Sequence, residues 1–395
     1  MFPKFKSILS FLLFVFVLSA SLGTVQAAGN HAEWTIMVYM SGDNELEPYV
    51  VSDIQTELAP IGSTAEVQIV ALADRAPRYD TSAGDWTGTL LFHVTQGMTA
   101  EPGNAVADWG EKNMGDPKTL IDFVSWTRSN YPADHYALYF WGHGQNWHPD
   151  FTMEDKTDQD TLDPDEMAAS MPALGFIDMV GYDGCNMAAI EIQGLWRNNA
   201  RAISHSEEWV GSEGIEYDKV IAALKANPTM SADELAVRTT QSTQFHEKTW
   251  SAVVLDKRWD RLQQAVDEWA AALTQALPSQ RKSMDQAFGA ARSFWQDPAT
   301  VDLYDAAFQV KALVKDPAVR AKSQAVMNAV NDVVLSEWHI KQYKAVRGIT
   351  IHLPTRVQYL DLPDTPQNDF DYYRDLSFAA NTRWDEFLAA YLGVP

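Results

Sequence analysis

Two short apolar runs, each closed by a glycine turn that delivers one reactive side chain, limit what this chain can fold into. Tyr136 to Trp141 reads as a buried strand and stops at Gly142-His143-Gly144. Phe176 to Val180 reads as a second strand, turns through Gly181-Tyr182-Asp183-Gly184 and delivers Cys185, 42 residues beyond His143. That separation leaves room for a loop and one crossover helix, as a connection between parallel strands requires. Parallel neighbours would bring His143 and Cys185 out at one carboxyl edge, where open α/β sheets form their ligand crevices. Glycines on both sides of His143 let a backbone or a substrate approach closely.

Cys185 is the only cysteine in 395 residues. Helical character is expected from Asn186, with Met187, Ile190 and Gly194 on one face. The sulfur would then lie near a helix N-terminus, whose partial positive charge favours thiolate. The bland role for a lone cysteine is a small buried apolar residue. The glycine-flanked turn, the strand-to-helix position and the upstream histidine motif weigh against it.

The first residues carry Lys4 and Lys6, then an apolar run from Ile8 to Leu22, then Val25-Gln26-Ala27. This pattern is expected to be a secretory signal peptide over residues 1–27, giving a mature chain in the periplasm or outside the cell. The run is short for a permanent membrane span. An unpaired thiol in an oxidising compartment calls for an explanation, and a reactive role is one. The chain has 53 acidic against 30 basic residues, a net charge of −23. Such a surface repels nucleic acid and anionic lipid, so neither is an expected partner, and it attracts cationic substrates.

Strand-like runs at Glu33–Met40, Val67–Ala73, Thr89–Val94, Arg201–His205, Ser251–Leu255 and Gly348–Pro354 alternate with helical patterns, among them Leu46–Leu58 and Lys118–Tyr131. The alternation predicts a three-layer α/β domain over residues 28–395, with a mostly parallel sheet between helices. Residues 222–345 are expected to be a smaller helical portion folded against that sheet. Pro149 to Pro164 reads as an exposed acidic loop whose spacing fits no EF-hand. The remaining histidines stand at no ligand spacing, so no metal ligand is assigned.

With these residues in view, the chain resembles the clostripain family of cysteine peptidases, within the caspase–gingipain–legumain group of folds. The matching pieces are Trp34–Met40 with Ser41-Gly42-Asp43-Asn44, Trp141-Gly142-His143-Gly144, Asp183-Gly184-Cys185-Asn186-Met187, Ser206-Glu207-Glu208, Val301–Asp305 and Gly348–Ile351. The resemblance implies a caspase-like fold and a dyad. Cys185 would be the nucleophile of a thioester acyl-enzyme, and His143 the proton-transfer group. Backbone N–H groups of Gly144 and Cys185 would form the oxyanion hole. It further implies cleavage after basic residues, with Asp183 at the floor of the recognition pocket and Glu213 as a second acidic wall. The family pattern has Asp where this chain has Glu213, which leaves Arg against Lys preference open. Some relatives cut themselves between the histidine and the cysteine, and Lys156 is the candidate here. No cofactor is required, and calcium is the one ion the resemblance points to. Two other readings stay open: a secreted glycoside hydrolase with paired carboxylates, which would survive thiol alkylation, and a binding relative with no reactivity at Cys185.

Overall fold

The computed structural model describes residues 31–149, 152–361 and 370–394. The expected signal peptide lies outside these residues. The described strands are β1 (Ala32–Met40), β2 (Val67–Arg75), β3 (Gly88–His93), β4 (Ala107–Gly110), β5 (Ala133–Trp141), β6 (Ile177–Asp183), β7 (Ala200–His205), β8 (Thr249–Val254), β9 (Thr300–Asp302), β10 (Val334–His339) and β11 (Thr350–His352). Nine of them form one sheet in the order β10-β8-β7-β6-β5-β1-β2-β3-β4. The central run from β7 to β2 is parallel. The strands at either end, β3 with β4 and β8 with β10, are antiparallel additions. β9 and β11 make a separate antiparallel pair.

Both faces of the sheet are covered, which is why the central strands read as continuous apolar runs rather than as alternating ones. β1 shows the division. Met37 and Tyr39 enter one core, while Trp34, Ile36, Val38 and Met40 enter the other. Successive strand residues point to opposite faces, so one strand serves two cores. The first core takes the helices Pro117–Asn130, Pro164–Leu174, Ile190–Trp196 and Lys257–Ala290. The second takes Glu47–Asp53, Tyr217–Ala226 and Ala232–Ser242. This is the caspase-like three-layer architecture anticipated from the sequence. Residues 222–345 supply helices to both layers and, in β8 and β10, two strands of the main sheet.

Helix starts follow local chemistry. Asp116 accepts from the Lys118 N–H ahead of Pro117, and Asp163 with Glu166 forms a capping box. Within the first core, Phe140 of β5 stacks on Tyr182 of β6 at 4.9 Å, and Trp196 donates to the Tyr182 hydroxyl at 2.8 Å. These contacts lock β5 and β6 together just below the ends that carry His143 and Cys185.

Candidate active site

From β1 the sheet grows through β2 on one side, and from β5 through β6 and β7 on the other. The switch between the two directions falls between β1 and β5, where open α/β sheets leave a crevice. Trp141 and Asp183 are register partners at the ends of β5 and β6. His143 and Cys185 each lie two residues beyond that pair. The Gly142 N–H donates to the Asp183 carbonyl at 3.2 Å and staples the two turns. A cavity of about 320 Å³ opens there, lined among others by Asp53, Trp141, His143, Asp183, Cys185 and Glu213.

The sulfur is nearly enclosed. Cys185 is 9% exposed, and its Sγ accepts from the Val210 N–H at 3.3 Å. Burial pushes the thiol up to about 11, with the charges of Glu247, Asp183 and Glu208 adding to it and the Val210 contact opposing. This corrects the expectation of a helix-lowered thiol. Asn186 has φ +58°, and the Asn186 and Ala188 N–H groups bond the Glu208 and Ser206 carbonyls. The chain therefore pairs with the loop after β7, and the helix begins only at Ile190. The helix thus starts five residues beyond the cysteine, and the dipole effect is confined to a helix's own terminal turn.

His143 is partly exposed and its Nε2 lies 3.0 Å from Glu45 Oε1. Among the described residues no hydrogen bond joins it to Cys185. The sequence showed no third partner for the pair. Glu45 comes from the turn after β1, and only the β1–β5 adjacency reveals it. Lys156 binds the other oxygen of Glu45 through its ammonium, and its backbone N–H donates to the Asp43 carbonyl at 2.9 Å. The loop carrying Lys156 is thus not the freely solvated segment expected. Thr152, Met153, Asp155 and Leu162 are buried. Carboxylates that accept backbone N–H groups fix it, from Met114 to Asp155 and from Thr157 to Asp43, and such bonds leave no hydrophobic period to read.

Asp183 is buried, and both its oxygens accept from the Ile215 N–H at 3.2 Å. Burial pushes its carboxyl up to about 8, the Ile215 bond opposing and Asp53 adding. Asp53, raised by burial to about 7, accepts from Trp141 Nε1 at 2.8 Å and feels the charge of Glu213. Behind it Glu57 is raised to about 8 by burial and by Asp53. Glu213 also lines the cavity. Asp53 and Glu57 were missed, although their four-residue spacing on the expected helix after β1 placed both on one face. His205, which stands before the Glu213 loop, is buried and bonded to Gln193 and Ser251, away from the cavity.

Two glycines are obligatory here. Gly214 has φ +50°, and a Cβ on it would fall 2.4 Å from Asp183 Oδ1. A Cβ on Gly144 would fall 2.6 Å from the Cys185 carbonyl oxygen. Gly144→Ala is therefore expected to destabilise the fold by about 1–3 kcal/mol. Urea unfolding monitored by tryptophan fluorescence checks this, and an unchanged midpoint would contradict the packing described.

The model of the clostripain family matches residues 38–391. The chain belongs to the clostripain family. Clostripain of Hathewaya histolytica is 27% identical over 233 residues, which are 51% of this chain and 44% of that protein. The chain thus spans less than half the length of that relative. Among solved structures, a secreted C11 cysteine protease from Bacteroides thetaiotaomicron, bound to an irreversible peptide inhibitor, superposes with a TM-score of 0.65 at 15% identity, covering 90% of this chain and 100% of that one. An inactive zymogen C11 protease from Parabacteroides distasonis gives 0.65 at 17% identity, covering 89% and 98%. At these identities the likeness is one of fold. Membership of this peptidase family sets the glycoside hydrolase reading aside.

Proposed function

We propose that this clostripain-family chain is a cysteine endopeptidase, exported across the membrane, that cuts polypeptides after Arg or Lys. The observation that carries the reading is one cavity lined by Cys185, His143 and three carboxylate side chains, Asp53, Asp183 and Glu213. Burial and mutual repulsion hold Asp183 and Asp53 partly protonated near neutral pH. A guanidinium or ammonium entering the cavity would favour their ionised forms. An apolar side chain would leave those polar groups without a partner.

In the mechanism, Cys185 Sγ attacks the scissile carbonyl and its proton passes to His143. A carboxylate on Nε2, as Glu45 provides, keeps a proton on that nitrogen and leaves Nδ1 as the basic one. The proton then goes to the leaving amine as the C–N bond breaks, and a thioester forms. Water, deprotonated by His143, attacks the thioester and releases the acid and the thiol. Backbone N–H groups of Gly144 and Cys185 would stabilise the oxyanion, each contributing about 3 kcal/mol. Glu213 reaches one methylene further than an Asp would, so both Arg and Lys are accepted. The same preference makes Lys156 a site of self-cleavage once it leaves Glu45.

The test is hydrolysis of fluorogenic peptides that present Arg, Lys, Leu or Asp before the cut. Turnover of the Arg and Lys peptides at least a hundredfold above that of the Leu and Asp peptides is expected. Turnover of the Leu or Asp peptide instead would overturn the roles of Asp183 and Glu213 while keeping the dyad.

A further inference from the structure

Three stretches matched by the family resemblance lie outside the cavity lining, yet they meet. Ser206–Glu208 follows β7, Val301–Asp305 spans β9 and the start of the helix Leu303–Leu313, and Gly348–Ile351 leads into β11. Their junction is a pair of buried carboxyls, Glu207 and Asp302, whose side chains hydrogen-bond to each other. The consecutive N–H groups of Arg347 and Gly348 divide between them. Arg347 donates to Asp302 Oδ2 at 2.6 Å and Gly348 to Glu207 Oε2 at 3.1 Å. Asp302 Oδ1 accepts in addition from the Asp305 N–H at 2.6 Å. Both Asp302 oxygens thus have donors, whereas Glu207 Oε1 is met by no N–H or O–H group. Among the described residues neither carboxyl joins an ion pair. Two carboxylates in contact inside a protein cannot both stay ionised, so one proton has to lie between them. Asp302 caps the helix Leu303–Leu313, whose N-terminus favours the charged form, so it is the acceptor. Glu207, with one bare oxygen, is the acid.

We propose that Glu207 donates a shared proton to Asp302 and that this bond positions the backbone behind Cys185. Its part in catalysis rests on the peptidase reading above; the bond itself does not. The carbonyls on either side of Glu207 carry the link. The Glu208 carbonyl accepts from the Asn186 N–H at 3.2 Å and the Ser206 carbonyl from the Ala188 N–H at 3.0 Å. From the other side the Thr350 N–H donates to the Ala188 carbonyl at 2.9 Å. The chain just past the nucleophile is therefore held between the same two segments that the shared proton joins. Three residues beyond Glu207, the Val210 N–H reaches the sulfur. The surrounding charges favour the shared proton. Burial, then the charges of Asp302 and Glu337, pushes the Glu207 carboxyl well above the usual range, and Asp305 adds negative charge beside Asp302. His205 reaches this corner through Ser251 and is pushed down to about 3 by burial, while the Arg347 guanidinium lies over the Tyr304 ring at 5.3 Å, so neither supplies a counter-charge. The Glu208 carboxylate turns to the Tyr343 hydroxyl instead.

Urea unfolding of wild type beside Glu207→Gln, whose amide keeps a donor and cannot titrate, tests the proton. The folded chain keeps a proton that the unfolded chain releases above about pH 4. The wild-type folding constant should therefore fall, relative to that of Glu207→Gln, by at least tenfold from pH 5 to pH 8. A ratio that does not move with pH would overturn the shared proton. Amide exchange read by mass spectrometry tests its placement. In Asp302→Asn the new Nδ2 would face the Arg347 N–H, donor against donor. Exchange at Asn186 and Ala188 should then speed up at least tenfold, against no more than twofold in Glu207→Gln. The opposite order would put the proton on Asp302, and unchanged exchange in both would free the segment from the pair; either result overturns the proposal. Asp302→Asn should also lower kcat for a Lys peptide at least fivefold, with KM changed less than twofold. An unaltered kcat beside faster exchange would overturn the positioning role. A wild type that cuts no peptide would strike the peptidase reading instead, with the unfolding and exchange results still deciding the bond.

Discussion

Cys185→Ala is expected to abolish peptide hydrolysis, lowering kcat by about 10⁴-fold or more while leaving the fold intact. The side chain is small and lines a cavity, so its replacement by a methyl group removes the sulfur's contacts with the Val210 backbone and leaves the surrounding core in place. Peptide turnover and urea unfolding, measured side by side, separate lost chemistry from lost structure. An intact-mass measurement of the wild type with an electrophilic basic peptide should show one adduct, absent from the variant. Hydrolysis that persists in Cys185→Ala would place the nucleophile elsewhere, and no hydrolysis or adduct in the wild type would favour a non-catalytic binding relative. The same residue carries a pH signature. With its thiol raised to about 11, the unliganded protein holds little thiolate near neutrality. Alkylation by iodoacetamide should therefore accelerate as pH rises from 7 towards 10, with no plateau in that interval.

The second large effect is expected at the pocket floor. Asp183→Asn should lower kcat/KM for Arg and Lys peptides by about 10²–10⁴-fold, the range set by about 3–5 kcal/mol for leaving a desolvated charge without its partner. Leu peptides, which lack that charge, should be unaffected or slightly improved. The pH dependence has a definite sign. Asp183 and Asp53 are raised to about 8 and about 7, so the ionised pocket that a cation prefers fills in as pH rises. The kcat/KM for Arg peptides should climb between pH 6 and 9. Stability runs the other way. A carboxyl with a folded pKa above its unfolded value binds its proton more tightly in the native state. Its contribution is complete below about pH 4 and is lost as pH rises through about 8. Asp183→Asn should flatten that decline, a result read from urea midpoints at pH 5 and pH 8. Equal losses on Arg and Leu peptides would mean that Asp183 only holds the Ile215 loop in place.

How far the sequence could be read depended on the kind of interaction involved. The parallel centre of the sheet was legible because strands covered on both faces must be largely apolar, as Tyr136–Trp141 and, apart from Gln68, Val67–Ala73 are. His143 and Cys185 were legible because glycine turns at strand ends are specific. Asp53 and Glu57 were not, because their importance comes from strand order, which lays the helix after β1 against the Asp183 turn. Glu45 was hidden for the same reason. The residues after Cys185 misled because Met187, Ile190 and Gly194 have helical spacing, yet the backbone from Asn186 to Ala188 bonds to Ser206 and Glu208 instead. Local propensity yielded there to pairing with a distant loop, and the expected electrostatic help for the thiol went with it.

The loop from Ser206 to Ile215 touches both halves of the task. Its Val210 N–H reaches the sulfur, its Gly211 N–H is held by Glu247, and its Ile215 N–H reaches the pocket-floor carboxylate. On the function proposed above, a side chain seated against Asp183 would press on the same stretch of backbone that holds the Cys185 sulfur. Recognition and bond cleavage would then share a mechanical element, and part of the energy of a correct side chain would go into aligning the sulfur rather than into holding the peptide. Selectivity between good and poor substrates would be expressed in the rate of acylation more than in the strength of binding.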